Sequence, residues 1–379
     1  MPPAAPIRVL IADDSSLVRG LLRSILQTQP DIEVVGEATN GKQAIELTAS
    51  LHPHLVTMDL EMPGIDGLQA IETIMCSRAV PSVVGSSAAD AQHALQAVAR
   101  GALEVIAKPD TSPQSMAAFI AKVRLLAGVA VITRMRPRTA ALGASTTPTV
   151  AASSSAAAPT AHSCTDTTAL TAHPLAAGGL GWWQPPYPWV FAIAASTGGP
   201  QVLAQILPGL PAGFNCPVLV AQHISDGFAQ GMVDWLASLC RLPVLLAREG
   251  QVLQPGMIYI APSERNLAVT RQGNLHLPLR ADGDPYHPRC DVLLEAVAQA
   301  FGAQAVGIVL SGMGHDGAAG MAAIAAAGGR TWAQDEASSL IFGMNQMAIA
   351  RGVVQQVLSP SAILARMCAL GSGQGSGHG

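Results

Sequence analysis

Residues 190–200 read VFAIAASTGGP, an apolar run followed at once by a serine, a threonine, two glycines and a proline. An uninterrupted apolar run of this length, bounded by glycine and proline, is typical of a strand buried in a parallel sheet. Val202-Leu203 and Ile206-Leu207 then recur at helical spacing. The stretch therefore predicts a β-strand, a turn and an α-helix, which is the repeating unit of an α/β fold.

The same alternation extends in both directions from this stretch. Upstream, β-branched runs such as RVLIA at 8–12 and LVTM at 55–58 alternate with amphipathic helical stretches. Downstream, VLVA at 218–221 and AVGIVL at 305–310 are further buried-strand runs. Short apolar strands separated by helical patterns indicate two parallel sheets, one in each half of the chain.

Between these two halves, from about 132 to 188, the sequence is rich in Ala, Ser, Thr and Pro. A segment of this composition buries too little apolar surface to offset the entropy lost on ordering, and it predicts a flexible linker. We therefore expect an N-terminal α/β domain over 1–128, a linker over 129–187, a second doubly wound parallel α/β domain over 188–370, and a disordered tail over 371–379.

The composition excludes several classes of protein. The 379 residues carry a formal net charge of only -4, spread along the chain, so no electrostatic footprint for nucleic acid or anionic lipid is present. The six cysteines lie far apart without a C-x-x-C pair, which argues against a zinc site or a disulfide framework. Neither a signal peptide nor a membrane-spanning run is evident, so we expect a cytoplasmic protein.

Acidic residues in the first half directly follow predicted strands. Asp13 and Asp14 come after the first strand and Asp59 after the third, so all three should meet at the carboxyl edge of the sheet. Clustered carboxylates favour a bound cation, and oxygen ligands suit Mg²⁺. Lys108 and Ser86, after later strands, could stabilise the oxygens of a phosphoryl group on Asp59. Helix capping or turn formation would explain each acid taken singly.

These residues resemble the response-regulator receiver family. The matching stretches are DDS at 13–15, DLEMPGIDG at 59–67, Ser86, and KP at 108–109. The resemblance implies a flavodoxin-like fold and phosphorylation of Asp59 by a histidine kinase. It also implies a cis peptide bond before Pro109.

In the second half, three side chains with complementary chemistry follow predicted strands. Ser196 stands at the start of a helix, where backbone N–H groups and the helix dipole can stabilise an oxyanion. His223 can act as its base, and Asp316, in SGMGHDG at 311–317, can orient the imidazole. Taken singly, a helix cap, an ordinary histidine and a turn residue would explain them, and we expect His315 to be a surface residue. The order Ser, His, Asp and the lack of G-x-S-x-G indicate a fold other than the α/β-hydrolase fold.

The second half resembles the catalytic domain of chemotaxis methylesterases, the CheB family, over 189–370. Besides the triad motifs, YIAP at 259–262, DVLL at 291–294 and AQDEAS at 333–338 match. The resemblance implies hydrolysis of glutamate methyl esters, and often deamidation of glutamines, on chemoreceptors. It makes Ser196 the nucleophile, His223 the base and Asp316 the orienting carboxylate, with Thr197 and the backbone of Met313 supporting the oxyanion.

This match has two departures from the family pattern. Asn345 stands where the family usually has proline, and His287 stands where arginine is common. The stretch 286–291 is therefore the weakest part of the match, and the departures affect the expected substrate contacts more than the expected chemistry.

Together these features predict a phosphorylation-regulated methylesterase with methylated chemoreceptors and a chemotaxis histidine kinase as partners. Mg²⁺ is expected at Asp13, Asp14 and Asp59, and no cofactor is expected for ester hydrolysis. A response regulator with a DNA-binding output would need a basic recognition helix after the linker, where the sequence offers a second βα domain. An unrelated small-molecule serine esterase would keep the Ser, His and Asp residues without needing Asp59.

Overall fold

A computed structural model of the chain describes residues 5–86, 91–129, 187–281, 284 and 286–371. It contains two parallel sheets flanked by helices, so the predicted α/β fold class is confirmed. None of the helices in these ranges is both long and apolar enough to cross a membrane.

The first sheet has five parallel strands in the order β2-β1-β3-β4-β5. Its strands are β1 (Ile7–Ala12), β2 (Ile32–Ala38), β3 (Leu55–Met58), β4 (Ser82–Ser86) and β5 (Glu104–Ala107). The helices of this domain are α1 (Ser16–Gln27), α2 (Gly41–Leu51), α3 (Gly67–Ser77), α4 (Ala91–Arg100) and α5 (Pro113–Ala127). This strand order is that of flavodoxin-like folds, with its switch point between β1 and β3.

The second sheet has seven parallel strands in the order β14-β13-β12-β6-β7-β9-β8. They are β6 (Val190–Ala195), β7 (Val218–Gln222), β8 (Val244–Leu246), β9 (Ile258–Ile260), β12 (Ala305–Val309), β13 (Arg330–Gln334) and β14 (Gln356–Leu358). A two-stranded antiparallel ribbon joins β10 (Ala268–Val269) to β11 (Leu275–His276). The helices are α6 (Gly199–Ile206), α7 (Ala229–Leu239), α8 (Cys290–Phe301), α9 (Ala318–Ala326), α10 (Met344–Ala350) and α11 (Pro360–Gly371).

The order of these seven strands fixes where a site can form. From β6 the chain moves to one side of the sheet through β7 and then returns to β12 on the other side. The sheet therefore has its switch point between β6 and β12, and open α/β sheets bind ligands beyond the carboxyl ends of the strands at such a point. All six residues of β6 are buried, as expected for a central strand covered by helices on both faces.

The ends of the second domain differ slightly from the predicted boundaries. Tyr187, predicted as the last linker residue, is buried and packs its ring 6.3 Å from that of Phe301. Gly371, predicted as the first residue of a disordered tail, instead ends α11, where an added Cβ would stand 2.2 Å from the Phe214 ring. The helix therefore includes one residue beyond the expected boundary, and that residue packs closely against Phe214. The rest of the predicted linker and tail lies outside the described residues, apart from Val129.

The two domains pack against each other through α4 and α7. Gly231 on α7 lies so close to α4 that an added Cβ would stand 2.6 Å from the Cβ of Ala91. Leu95 and Val98 on α4 belong to the same buried apolar cluster as Phe228, which directly precedes α7. The first domain therefore contacts the second beside the carboxyl ends of β6 and β7.

Candidate active site

Ser196 directly follows β6 and is almost entirely buried. Its amide donates a hydrogen bond to the carbonyl of Ser311 (3.0 Å), beyond β12. Its carbonyl accepts hydrogen bonds from the Gly199 amide (2.7 Å) and from Nε2 of Gln222 on β7 (2.8 Å). Gly198 takes a positive φ of 83°, which turns the chain from the strand into α6. Both neighbouring strands thus hold the serine backbone at the switch point.

His223 and Asp316 form a hydrogen-bonded pair next to this serine. The Nε2 atom of His223 lies 2.7 Å from Oδ2 of Asp316, across 93 residues of sequence. Ser196 and His223 line the same cavity, although no hydrogen bond joins them among the described residues. Such contacts are often loose before substrate binds. Because Nε2 contacts the carboxylate, Nδ1 is the ring nitrogen available to accept a proton from the Ser196 hydroxyl.

The carboxyl group of Asp316 is held in its ionised form. Burial acts to raise its pKa, but the hydrogen bond and charge of His223 lower the pKa below its usual range. The backbone amides of Cys290 (2.7 Å) and Asp291 (2.9 Å) act in the same direction by donating hydrogen bonds to it. An ionised carboxylate in this place can stabilise an imidazolium ion on His223.

A second carboxylate, Asp291, supports the loop that carries Asp316. Its Oδ1 atom accepts hydrogen bonds from the amides of Gly317 (2.9 Å) and Gly320 (2.7 Å) at the beginning of α9. Burial and the neighbouring charge of Asp316 raise the pKa of Asp291. Asp291 lies in the matching stretch DVLL at 291–294 but was not a predicted site residue. An acid in the first turn of a helix is favoured by the helix dipole, so its position alone does not indicate a functional role.

Two backbone amides near Ser196 are suited to an oxyanion. The amides of Thr197 and Met313 donate no backbone hydrogen bond within the described part of the chain, whereas the Ser196 amide is occupied. Gly312 lies directly against Ser196, since an added Cβ would stand 2.7 Å from the Ser196 Cβ. Met313 is the next residue in the chain, and its amide stays a prediction for the oxyanion site.

The hydroxyl of Thr197 is engaged by the first domain. It donates a hydrogen bond to Oε2 of Glu104 (2.9 Å) and accepts one from Nζ of Lys122 (3.0 Å). Glu104, the first residue of β5, and Lys122 on α5 are themselves an ion pair. Gln201 on α6 adds hydrogen bonds of 3.0 Å to the carbonyls of Ala102 and Leu103. Sequence patterns contain no signal for contacts between domains, so these partners were missed.

Two side chains from the weakly matching stretch 286–291 contact His223. The Tyr286 ring is stacked on the imidazole, with 5.0 Å between ring centroids and 19° between the planes. The Sγ atom of Cys290 lies 3.4 Å from Nε2 of His223. His315 is exposed, as expected, and its Nδ1 lies 3.4 Å from the Tyr286 hydroxyl. Neither Tyr286 nor Cys290 was a predicted site residue.

The first domain gathers its predicted residues at the carboxyl edge of its own sheet. Carboxylate oxygens of Asp13, Asp14 and Asp59 lie within 4.8 Å of one another. The Lys108 ammonium lies 2.9 Å from Oδ2 of Asp13 and 3.2 Å from Oδ1 of Asp59. Ser86 ends β4 at the same edge. Three carboxylates that supply only oxygen ligands fit Mg²⁺.

Burial and the ion pair set the charges of this acidic cluster. Burial raises the pKa of Asp59, an effect that Lys108 opposes and Asp13 reinforces. Burial acts to lower the pKa of Lys108, but its hydrogen bond to Asp13 and the charges of both carboxylates raise it above the usual value. Lys108 therefore remains a cation beside Asp59.

The prediction of a cis peptide bond before Pro109 is wrong. The cis bond among the described residues joins His287 to Pro288, and the Lys108–Pro109 bond is trans. With the trans bond in place, the Lys108 ammonium already contacts both Asp13 and Asp59.

Comparison with known proteins agrees with both halves of the structure. Residues 191–367 match the family model of the CheB methylesterase domain, and residues 9–120 match that of the response regulator receiver domain. A protein from Paramagnetospirillum magneticum, named protein-glutamate methylesterase/protein-glutamine glutaminase 3, is 51% identical over 367 residues, or 96% of each chain. The chain belongs to the CheB methylesterase family. This membership confirms the predicted receiver and hydrolase domains.

Other CheB proteins match over similar lengths. Protein-glutamate methylesterase/protein-glutamine glutaminase 4 from Myxococcus xanthus is 36% identical over 378 residues, which cover 98% of each chain. The crystal structure of the CheB methylesterase catalytic domain of Thermotoga maritima is 31% identical, with a TM-score of 0.47, and covers 48% of this chain and 98% of that one. The relatives with full-length matches therefore combine the same two domains along one chain.

Proposed function

We propose that this chain hydrolyses methyl esters of glutamate side chains on the cytoplasmic domains of chemoreceptors, under control of phosphorylation at Asp59. The observation that carries the proposal is the hydrogen bond between His223 and Asp316 beside Ser196, at the switch point of the second sheet. The names of the full-length relatives support the ester substrate, and they also support deamidation of receptor glutamines.

In the proposed reaction, Oγ of Ser196 attacks the ester carbonyl while Nδ1 of His223 takes the hydroxyl proton. The amides of Thr197 and Met313 donate hydrogen bonds to the oxyanion. The imidazolium gives its proton to the leaving methoxide, and methanol departs from an acyl-enzyme. Water, deprotonated by His223, then hydrolyses the acyl bond and restores the serine. We propose no cofactor for this reaction, because His223 carries the proton in both steps.

The acidic cluster of the first domain is proposed as the phosphorylation site. Asp13, Asp14 and Asp59 would hold Mg²⁺, which supplies positive charge to the phosphoryl oxygens when bound. Lys108 and Ser86 lie at the same edge to bind those oxygens. The phosphodonor is proposed to be the histidine kinase of the same chemotaxis pathway.

The contact between domains supports control of the esterase by the receiver. The cavity lined by Ser196 and His223 is also lined by Leu95, Val98 and Glu104 of the receiver. A methylated receptor segment cannot reach Ser196 past these residues while the receiver stays in place. Phosphorylation of Asp59 would favour an arrangement in which the two domains separate.

Release of methanol from methylated chemoreceptor cytoplasmic fragments tests this function. We expect release by the purified chain to increase when acetyl phosphate is added, and the Asp59→Asn variant to lose that increase. A small methyl ester measured in parallel distinguishes the alternative. Hydrolysis of the small ester without any release from receptor fragments would identify an unrelated small-molecule esterase.

Replacing Glu104 with alanine should raise the activity of the unphosphorylated chain by roughly 3- to 10-fold. The change removes the acceptor for the Thr197 hydroxyl across the domain contact, and it removes the ion-pair partner of Lys122, which also binds that hydroxyl. A hydrogen bond to a charged group contributes about 1.5–3 kcal/mol, less where solvent screens it. Methanol release without acetyl phosphate measures the effect. Glu33→Ala, at an exposed site on β2, is the matched control, and equal rates for both variants would contradict the proposed control.

The ring of Tyr286 should stabilise the imidazolium form of His223 through its stacked face. Contacts between a cation and an aromatic ring contribute about 0.5–2 kcal/mol, so Tyr286→Leu should lower kcat by roughly 2- to 30-fold. Tyr286→Phe keeps the ring and should retain most of the activity. Steady-state kinetics on a methylated receptor fragment separate kcat from KM. If leucine supports turnover as well as phenylalanine does, the ring only fills space.

A further inference from the structure

We propose that His223, Cys290 and Asp316 form a Zn²⁺-binding site at which Zn²⁺ reversibly inhibits the enzyme. The mechanism proposed above uses His223 and Asp316 but not the Cys290 thiol, although its sulfur lies against the catalytic imidazole. The metal site stands on geometry alone, whereas the inhibition rests on the proposed function.

The three side chains present their ligand atoms around one point. Sγ, Nε2 and a carboxylate oxygen all lie within 4.8 Å of one another. Sγ and Nε2 are 3.4 Å apart, and Nε2 and Oδ2 are 2.7 Å apart. Tetrahedral Zn²⁺, with bonds of about 2.0–2.3 Å, separates its ligand atoms by roughly 3.3–3.6 Å. The distance from Sγ to Nε2 already fits this range. A small rotation of the imidazole would lengthen the distance from Nε2 to Oδ2 enough to fit it as well.

The chemistry of the three donors favours zinc over the harder cations. Thiolate, imidazole and carboxylate are the usual protein ligands of Zn²⁺, and three of them leave a fourth position open. In the absence of metal, the Cys290 thiol approaches the Ala221 carbonyl at 3.4 Å. Binding would release the thiol proton to solvent as the Zn–S bond forms. The proton that Nε2 of His223 donates to the carboxylate would be lost from Nε2, and the neutral imidazole would carry its one proton on Nδ1. Nε2 and the carboxylate oxygen would then both be free to bind the metal.

In this proposal the metal would enter from the cavity beside Ser196, past the imidazole of His223. His223 lines this cavity and keeps 11% of its side chain exposed, whereas Cys290 and Asp316 lie behind it, almost entirely buried. A metal bound there would withdraw electron density from the imidazole and separate it from Asp316. His223 could then no longer take the proton of Ser196.

Binding is tested on the full-length chain with Co²⁺ as a spectroscopic probe. We expect a thiolate-to-Co²⁺ charge-transfer band with the unaltered chain and none with Cys290→Val, which keeps the backbone amide that binds Asp316. Cys240→Val, which removes a thiol elsewhere in the same domain, should keep the band. If Cys290→Val does not fold, Cys290→Ser replaces it. Loss of the band in the Cys240 variant, or its absence from the unaltered chain, would overturn the site.

Inhibition is tested by titrating ZnCl₂ into the ester hydrolysis assay. Changing a group that merely supports a metal ligand costs about 10–100-fold in affinity, so loss of the thiol should raise the half-inhibitory Zn²⁺ concentration at least about 10-fold. Equal sensitivity of the unaltered chain and Cys290→Val would refute inhibition through this site. If no variant hydrolyses any ester, the proposed function fails, and the Co²⁺ spectrum still decides whether the metal site exists.

Discussion

Replacing Ser196 with alanine should reduce methanol release from methylated receptor fragments by about 10⁶-fold, the loss typical of a missing serine nucleophile. The change removes only the hydroxyl oxygen that would form the acyl bond. The backbone contacts of residue 196 with Ser311, Gly199 and Gln222 do not involve the side chain and should persist. The fold and thermal stability should therefore remain close to those of the unaltered chain.

Single-turnover methanol release, together with a thermal melt, measures this effect. Ser361→Ala, at an exposed position in the first turn of α11, is the matched control and should leave the rate unchanged. Demethylation that survives Ser196→Ala would show that another group attacks the ester, and the proposed role of Ser196 would then be abandoned.

Replacing Asp316 with asparagine should lower kcat by about 10⁴-fold, as in other Ser-His-Asp enzymes. The loss has two sources. A neutral amide no longer stabilises the imidazolium on His223, and its NH₂ group cannot accept the hydrogen bonds that Oδ2 receives from His223 and the Cys290 amide. If the asparagine side chain turned over, its NH₂ group would instead face the backbone N–H of Asp291, which donates a hydrogen bond to Oδ1 in the unaltered chain. Two donors would then face each other at that position.

Steady-state kinetics and a denaturant titration separate the catalytic effect from the structural one. We expect the kcat of Asp316→Asn to fall far more than its KM changes, with a smaller loss in the free energy of unfolding. Asp234→Asn, at an exposed position on α7, is the control. A variant that retained kcat within about 10-fold would show that the carboxylate is not needed to orient His223.

Local sequence patterns predicted the fold because each central strand is an apolar run buried on both faces. They also predicted which residues should meet, since residues after parallel strands lie at the same edge of a sheet. Thus Asp13 and Asp59 were expected together, and so were His223 and Asp316, despite the 93 residues between the latter two.

The remaining features depend on information that no local pattern contains. Tyr286 lies in the irregular stretch that leads into α8, and Cys290 is the first residue of that helix. Neither periodicity nor a motif fixes the direction of a side chain there. The contact of Glu104 with Thr197 depends on how two domains pack across a long connection. The peptide bond before Pro109 was inferred by resemblance alone, and that inference was wrong.

The hydrogen bonds of Asp316 and Asp291 tie catalysis to folding. Asp316 accepts hydrogen bonds from the first two amides of α8, and Asp291 accepts them from the Gly317 and Gly320 amides at the N-terminus of α9. The two carboxylates therefore cap the N-termini of both helices. The carboxylate proposed to orient His223 is thus also part of the scaffold. A descendant that abandoned ester hydrolysis would still be under selection to keep this aspartate, so its persistence in a relative would be poor evidence that the relative is active.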